Sequence, residues 1–346
     1  MSAKLNVVQQ ALAQLVEKRN LSRDVMHAAM MAVMTGEATP AQVGAFLIAL
    51  RMKGESVDEL TAAAQVMREL SSKVIVNVNP RHLVDTCGTG GTGIPLFNVS
   101  TASAFVVACA GGFVAKHGNR SVTSTSGSAD LLEAAGVNLE ITPEQVAKCV
   151  DQLGVGFMFA VKHHSAMKHA IGPRREIAVR TIFNTLGPLT NPASAPNQML
   201  GVYDKALLRP VAEVLKNLGS NHVLVVHSHD GLDEISLCAP TDIVELKDGE
   251  IREYTITPED VGLAARPIDE LYVDNAQQSL QLIETALKDN HSAAADIVAL
   301  NAGAAIYAAN LCSSLTQGVD VARDILGTGI AWEKMQDFVD FTQYVV

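Results

Sequence analysis

The chain has 346 residues, of which 48% are hydrophobic and 4% aromatic, and its formal net charge is −11 at pH 7. This length and apolar content suffice for one large core and a smaller domain. The acidic balance argues against nucleic-acid binding, which needs a basic face, and a polyanionic ligand would need local cations, backbone dipoles or a metal.

Neither a membrane span nor a secretion signal is predicted. The longest apolar run, 102–115, is shorter than a membrane span and ends at Lys116. No apolar stretch follows Lys4, so we expect no signal peptide. The five cysteines are odd in number and lack metal-ligand spacing, which predicts reduced thiols in a cytoplasmic protein.

Residues 1–72 predict a small all-helical domain. Ser22 can cap one helix, Pro40 suits the first position of a second, and 56–59 form a capping box for a third. Apolar residues at 26–33 repeat at helical spacing. That face could belong to the core or to a dimer interface, because so small a unit rarely buries all its apolar surface alone.

From residue 73 onward, short β-branched runs alternate with helical patterns, which predicts a mostly parallel central sheet flanked by helices. The predicted strands are 83–87, 112–116, 137–141 and 222–227. Ligands of such sheets bind beyond the carboxyl ends of the strands. This rule selects the loops 88–99, 116–128, 160–175 and 228–236.

The segment 85–101 reads DTCGTGGTGIPLFNVST, with four glycines in six residues from Gly88 to Gly93. A backbone this free of side chains can aim several N–H groups at one anion. Asn98, Ser100 and Thr101 could cap the helix that follows, whose positive end would face the same anion. We therefore predict phosphate binding, although a turn without a ligand is the alternative.

A second segment, 116–128, follows the predicted strand 112–116. Lys116 and Arg120 can neutralise phosphate charge, and Arg120 can do so with a bidentate fork. Its many hydroxyl groups and a helix start near Ser128 add neutral donors, so binding is favoured over a solvated polar loop.

Asp233 and Glu234 follow the predicted strand 222–227. Adjacent carboxylates beside phosphate-binding segments suit Mg²⁺, which prefers carboxylate and phosphate oxygens. A surface charge pair is the alternative.

The segment 157–176 contains adjacent histidines and a cluster of arginines. Arg174 is a candidate to hold a carboxylate, but Arg175 or Arg180 would serve equally. The glycine loop loosely resembles a dinucleotide fingerprint, yet 110–112 lacks the ribose-binding acid expected about twenty residues on, which disfavours NAD.

These segments, in this order, resemble the anthranilate phosphoribosyltransferase family of tryptophan biosynthesis over nearly the whole chain. The resemblance is carried by Gly88-Thr89-Gly90-Gly91, Asn98-Val99-Ser100-Thr101, Lys116-His117-Gly118-Asn119-Arg120, His164 with Ala166-Met167-Lys168, Arg174, Arg180-Thr181-Ile182-Phe183-Asn184, Leu186-Gly187-Pro188-Leu189 and Gly231-Leu232-Asp233-Glu234.

The resemblance implies a nucleoside phosphorylase-like fold and transfer of the phosphoribosyl group from phosphoribosyl diphosphate to anthranilate. It implies that the donor is bound by Gly88, Gly91, Thr92, Asn98, Val99, Ser100, Thr101, Lys116, His117, Gly118, Asn119, Arg120, Ser121, Val122, Thr123, Ser124 and Ser128. It implies that anthranilate is bound by Gly88, His117, Asn119, His164 and Arg174, and Mg²⁺ by Ser100, Asp233 and Glu234. No general base is expected.

The resemblance also implies a homodimer paired through the helical domain, which would consist of 1–72 joined by about 164–190. The α/β domain would then comprise 73–163 and 191–346. Two residues depart from the family: Thr92 stands where an aspartate is usual, and Leu96 where a threonine is usual. The loop's backbone amides depend on neither side chain, so anion binding should survive.

Two alternatives remain from the sequence. A pyrimidine nucleoside phosphorylase would share the general architecture, but the Asp233-Glu234 pair and Arg174 favour the transferase. A non-catalytic relative that binds nucleic acid is disfavoured by the charge of −11.

Overall fold

The computed structural model describes residues 5–121, 126–289 and 291–345. The α-helices in this part of the chain are α1 (Val7–Leu15), α2 (Arg23–Met34), α3 (Pro40–Lys53), α4 (Val57–Glu69), α5 (Val99–Cys109), α6 (Ser128–Ala134), α7 (Pro143–Leu153), α8 (Ala160–His163), α9 (Lys168–Ile177), α10 (Phe183–Leu186), α11 (Leu208–Asn217), α12 (Ala276–Lys288), α13 (Ala293–Ala308), α14 (Leu315–Thr328) and α15 (Ile330–Tyr344). The strands are β1 (Leu83–Gly88), β2 (Phe113–Gly118), β3 (Val155–Phe159), β4 (Asn197–Gly201), β5 (His222–Ser228), β6 (Thr241–Lys247) and β7 (Glu250–Ile256).

Helices α2, α3 and α4 begin where the sequence predicts. Ser22, Thr39 and Ser56 each accept a hydrogen bond from a backbone N–H in the first turn of the helix that follows. Between α3 and α4, Lys53 and Glu59 form a buried ion pair with an Nζ–Oε2 distance of 2.7 Å. The caps fix the starts of these helices, and the ion pair joins α3 to α4.

The seven strands form one sheet in the order β3-β2-β1-β4-β5-β6-β7. The five strands from β3 to β5 pair in parallel, and β6 and β7 add an antiparallel edge. The predicted fold class, a small helical part with a mostly parallel sheet flanked by helices, is therefore confirmed.

The sheet separates two apolar cores. Along β5, Leu224 and Val226 pack with α5, α7 and α12–α15, whereas Val223 and Val225 pack with α11 and the N-terminal helices. Side chains of a strand alternate between faces, so a strand covered on both sides reads as a continuous apolar run. Helix α9 packs against α2 and α3, which supports assigning 164–190 to the helical domain; the division of the chain itself stays a prediction.

Three of the four predicted strands are confirmed, as β1, β2 and β5, but the strand predicted at 137–141 is wrong. This segment is the short connection between α6 and α7. Val137 and Leu139 are buried in the core, yet the backbone N–H of Asn138 donates to the Thr342 hydroxyl on α15, over 3.1 Å, instead of to a neighbouring strand. A short run with β-branched residues predicted the strand, but this run is buried in the core without a strand partner.

Within the described ranges, no helix has both the length and the apolar character needed to span a membrane. All five cysteines lie in those ranges and are free thiols, in agreement with the prediction.

Candidate active site

A cavity of about 350 Å³ opens at the carboxyl ends of β1 and β4. These two strands are neighbours in the sheet, with Gly88 opposite Gly201. From β1 the strand order runs through β2 towards one edge of the sheet, and from β4 it runs through β5 towards the other edge. Such a switch in strand order is where open α/β sheets bind their ligands.

The glycine loop forms one wall of this cavity. Gly90, Gly91 and Gly93 have φ angles of 62°, 79° and 79°, which side chains rarely tolerate. The Gly90 N–H donates to Oδ2 of Asp233 over 2.8 Å. Among the described residues, the N–H groups of Gly91, Thr92 and Gly93 find no acceptor. Three successive N–H groups without an acceptor in the described ranges are a backbone arrangement suited to an anion.

Helix α5 begins beside this loop, but its predicted side-chain cap is wrong. Asn98 occupies the cap position without a capping hydrogen bond. Its Oδ1 instead accepts from the hydroxyls of Ser126, over 3.1 Å, and Ser279, over 2.8 Å. Asn98 thus joins the glycine loop to the segment before α6 and to α12, and leaves the first turn of α5 uncapped by its own side chain.

Lys116 lies beneath the glycine loop, nearly fully buried at 3% exposure. Its Nζ donates to the Thr86 carbonyl and to the Ser100 hydroxyl, the latter over 3.2 Å. Burial lowers the pKa of Lys116, while the negative charge of nearby Asp85 raises it. Asp85 also accepts the backbone N–H of His117 over 3.1 Å, so the buried carboxylate connects β1 with β2.

Arg120 makes the predicted bidentate fork, but with a carboxylate of its own chain. Its Nη1 and Nη2 donate to Glu133 over 2.7 and 3.0 Å, and Nη1 also donates to Asp130 over 3.0 Å. These bonds raise the pKa of Arg120 above its usual value. A phosphate group at Arg120 would therefore have to compete with the carboxylates of α6.

Asp233 and Glu234 line the cavity opposite Lys116, and neither has an ion-pair partner among the described residues. Burial raises the pKa of both carboxyl groups, and the charge of Asp233 raises that of Glu234 further. The backbone N–H of Ser100 opposes the shift at Glu234. Two crowded carboxylates and a nearby hydroxyl, with room for phosphate and water oxygens, suit Mg²⁺.

The described residues contain no group of three or more His, Cys, Asp or Glu side chains able to hold a metal by themselves. Mg²⁺ is commonly held by one or two carboxylates together with substrate phosphates and water.

The remaining wall contains the predicted carboxylate-binding arginine. The Arg174 guanidinium lies 5.0 Å from the ring centroid of Phe183 and has no ion-pair partner within the described ranges. Burial lowers its pKa. His117 is held by an Nδ1 contact of 3.2 Å to the Gly187 carbonyl, and His164 packs behind it. An unpaired arginine beside aromatic rings suits an aromatic carboxylate.

Most predicted site residues line this one cavity. They are Gly88, Gly91, Thr92, Asn98, Ser100, Lys116, His117, Gly118, Asn119, Arg120, Ser121, Ser128, Arg174, Asp233 and Glu234. Val99 and Thr101 are buried on α5 behind the wall. Val122, Thr123 and Ser124 lie outside the described residues.

Arg180 and Tyr203 are among the cavity residues that sequence reasoning did not assign to the site. Arg180 was weighed only as a substitute for Arg174, yet it donates to the Gly91 carbonyl. Tyr203, two residues beyond β4, lies under its guanidinium. The rule that ligands bind beyond strand ends would have selected Tyr203 had β4 been predicted.

Two family models match the chain. Residues 9–71 match the helical bundle domain of a glycosyl transferase family, and residues 80–332 match its a/b domain. Anthranilate phosphoribosyltransferase of Cellvibrio japonicus is 60% identical over 342 residues, covering 98% of this chain and 99% of the relative. That of Hahella chejuensis is 59% identical over 339 residues and 97% of each chain.

Solved structures agree. Anthranilate phosphoribosyltransferase of Thermus thermophilus superposes with a TM-score of 0.90 at 42% identity, over 96% of this chain and 99% of that one. The Saccharomyces cerevisiae enzyme in complex with PRPP and Mg has the same fold, with a TM-score of 0.86 at 24% identity over 97% and 98% of the two chains.

Proposed function

Because the chain belongs to the anthranilate phosphoribosyltransferase family, we propose that the cavity between β1 and β4 is where it binds phosphoribosyl diphosphate and anthranilate. The chain is a glycosyltransferase of tryptophan biosynthesis. It joins the amine nitrogen of anthranilate to the anomeric carbon of the donor and releases diphosphate.

One observation supports the proposed position of the phosphoribosyl diphosphate site. The N–H groups of Gly91 and Thr92, which have no acceptor among the described residues, line the same cavity as Lys116. In a chain of net charge −11, a diphosphate needs such local dipoles and cations to bind. We place the diphosphate on the glycine loop and the rest of the donor along 116–121 and Ser128.

The reaction is a displacement at the anomeric carbon through an oxocarbenium-like transition state. The C–N bond forms on the amine lone pair, the C–O bond breaks with its electron pair going to diphosphate, and the amine then releases a proton to solvent. The amine is neutral before attack, so we assign no general base. Lys116 and the loop N–H groups stabilise charge on the departing diphosphate, and the cavity walls orient the amine.

Ser100, Asp233 and Glu234 are proposed to hold Mg²⁺. When bound, the ion supplies positive charge that stabilises the diphosphate leaving group. The Asp233 contact with the Gly90 N–H, at 2.8 Å, also connects this carboxylate directly to the glycine loop.

Anthranilate is proposed to bind between Arg174, which takes its carboxylate, and the wall formed by Gly88 and Asn119. His117 lines its path, and His164, which was also predicted to line it, packs behind His117. Arg174 is half-buried and free of carboxylate partners in the described ranges, so a bound carboxylate would not displace an existing ion pair.

We further propose a cytoplasmic homodimer paired through the helical domain. Its surface includes exposed apolar side chains such as Met52, at 79% exposure. Sedimentation of the purified chain would measure the dimer, and a monomer at micromolar concentration would contradict it.

Anthranilate fluorescence tests the activity. Consumption of anthranilate should require the enzyme, phosphoribosyl diphosphate and Mg²⁺ together, and should stop when any one is omitted. Phosphorolysis of uridine or thymidine without reaction of anthranilate would favour the nucleoside phosphorylase instead.

A further inference from the structure

Arg180 extends from the segment between α9 and α10 to the glycine loop. Its Nη2 donates a hydrogen bond to the carbonyl oxygen of Gly91, and its Cζ lies 4.2 Å from the ring centroid of Tyr203. Within the described residues, no carboxylate lies at ion-pairing distance from its guanidinium. The guanidinium is therefore fixed by a backbone carbonyl and an aromatic face, without an acidic partner.

Tyr203 is itself attached to the start of the same loop. Its backbone N–H donates to Oγ1 of Thr89 over 3.0 Å, and the Thr89 N–H donates to the Gly201 carbonyl over 2.9 Å. Arg180 thus bridges Tyr203 and Gly91. Tyr203 is held by Thr89, which lies two residues before Gly91 in the loop. This arrangement closes a ring of contacts around Gly90.

The contact depends on glycine at position 91. Gly91 has a φ of +79°, and a Cβ built there would lie 3.2 Å from Nη2 of Arg180. Glycine adopts this backbone conformation without strain, whereas a Cβ at this distance would also make the guanidinium shift.

Holding the Gly91 carbonyl also sets the direction of the next N–H group. In a trans peptide, the carbonyl of one residue and the N–H of the following residue point in opposite directions. A Gly91 carbonyl directed at Arg180 therefore directs the Thr92 N–H away from Arg180. That N–H has no acceptor among the described residues, and Thr92 lines the cavity.

We propose that Arg180 is a positioning residue for the diphosphate group: by fixing the Gly91–Thr92 peptide against Tyr203, it aims the Thr92 N–H at the anion. The inference deepens the proposed function and rests on it, because it assumes that the glycine loop receives the diphosphate. It adds a contact through which the segment 164–190 influences donor binding.

The test compares Arg180→Gln with Arg175→Gln, a matched control whose exposed side chain lies five positions earlier in the chain. Isothermal titration measures the Kd of inorganic diphosphate with Mg²⁺, and steady-state kinetics give both KM values. Arg180→Gln should raise the diphosphate Kd and the donor KM about tenfold, the effect of one charged hydrogen bond, with anthranilate KM and Tm unchanged. An unchanged diphosphate Kd, or an equal rise in both KM values, would overturn the proposal.

Two further variants separate positioning from simple charge. Arg180→Lys keeps the charge but loses the planar fork, so it should recover less than the full affinity; complete recovery would overturn the positioning role. Tyr203→Ala should weaken diphosphate binding like Arg180→Gln, and the double variant should cost no more than either alone, whereas Tyr203→Phe should bind normally. Additive losses would contradict the shared role.

The failure of this inference differs from failure of the proposed function. A wild-type chain that binds no diphosphate refutes the assigned donor site. A wild-type chain that binds it, beside an Arg180→Gln variant that binds it equally well, refutes only the role of Arg180.

Discussion

The imidazole rings of His117 and His164 meet edge to face, with centroids 5.1 Å apart and 62° between their planes. Neither Nε2 has a hydrogen-bond partner within the described part of the chain. Burial, and next the neighbouring imidazole, lowers the pKa of His117 to about 3, and burial lowers the pKa of His164 to about 4. Both rings are therefore neutral at neutral pH.

This pair predicts a loss of stability in mild acid. An unfolded histidine takes up a proton near pH 6.5, whereas these two resist protonation until about pH 4 and 3, so the unfolded chain binds more protons between those values. The free energy of unfolding should fall as pH decreases from about 6.5, by up to about 1.4 kcal/mol per pH unit for each ring. Urea denaturation at several pH values measures the slope.

Replacing the rings should remove this slope. The double variant His117→Gln with His164→Gln should show a shallower decline than wild type below pH 6.5. His291→Gln, at an exposed histidine, is the control and should leave the slope as it is. Parallel pH profiles for wild type and the double variant would contradict the assignment.

The carboxylates opposite Lys116 predict a metal-binding defect separate from turnover. Asp233→Asn combined with Glu234→Gln should weaken Mn²⁺ binding, measured by electron paramagnetic resonance as a Mg²⁺ substitute, by at least about tenfold, because carboxylates are the charged ligands that such ions prefer. The same variant should lose turnover at saturating Mg²⁺.

The matched control is Glu250→Gln, an exposed carboxylate on the edge strand β7. It should bind Mn²⁺ as wild type does. Unchanged turnover of the double variant in saturating Mg²⁺ would remove Asp233 and Glu234 from the metal site.

Local signals made the helical part and the first wall of the cavity predictable. Ser22 and Ser56 cap helices through short-range chemistry that the sequence displays directly. The loop after β1 was predictable for the same reason, because four glycines between a buried strand and a helix are typical of a ligand-binding turn. The rule that ligands bind beyond the carboxyl ends of strands then selected the loops of Lys116 and Asp233, which line one cavity.

Long-range contacts were not predictable in this way. Arg180 meets Gly91 across 89 positions of sequence, and no local pattern indicates that pairing. Asn98 is as good a helix cap as Ser22 by residue type, yet its side chain bonds to Ser279, which lies 181 positions away. In each case the side chain could have made a local contact equally well, and a partner distant in sequence determined which contact it makes.

The backbone conformation of Ala178 predicts that a substitution by glycine stabilises the fold. It ends α9 in the left-handed conformation, with φ 49° and ψ 27°, where an L-residue with a Cβ is strained by about 1–2 kcal/mol. Glycine relieves this strain but adds flexibility to the unfolded chain, so Ala178→Gly should raise the free energy of unfolding by about 0.5–1 kcal/mol.

Ala13→Gly is the opposite control, because Ala13 is exposed within helix α1. It should lower the free energy of unfolding by about 1 kcal/mol. Chemical denaturation measures both variants, and a destabilised Ala178→Gly would show that the left-handed conformation carries no strain.

The close packing around Gly201, at the end of β4, predicts that a side chain at this position damages both stability and the metal site. A Cβ at this position would lie 1.6 Å from the backbone oxygen of Asp233, and backbone cannot move aside as a flexible side chain can. Gly201→Ala should therefore displace Asp233, lower the free energy of unfolding by about 3 kcal/mol and weaken Mn²⁺ binding together with turnover. Gly172→Ala is the control, since a Cβ there meets nothing within 4 Å. A Gly201→Ala variant with wild-type Tm and Mn²⁺ affinity would mean that the close contact between β4 and Asp233 does not position the carboxylate.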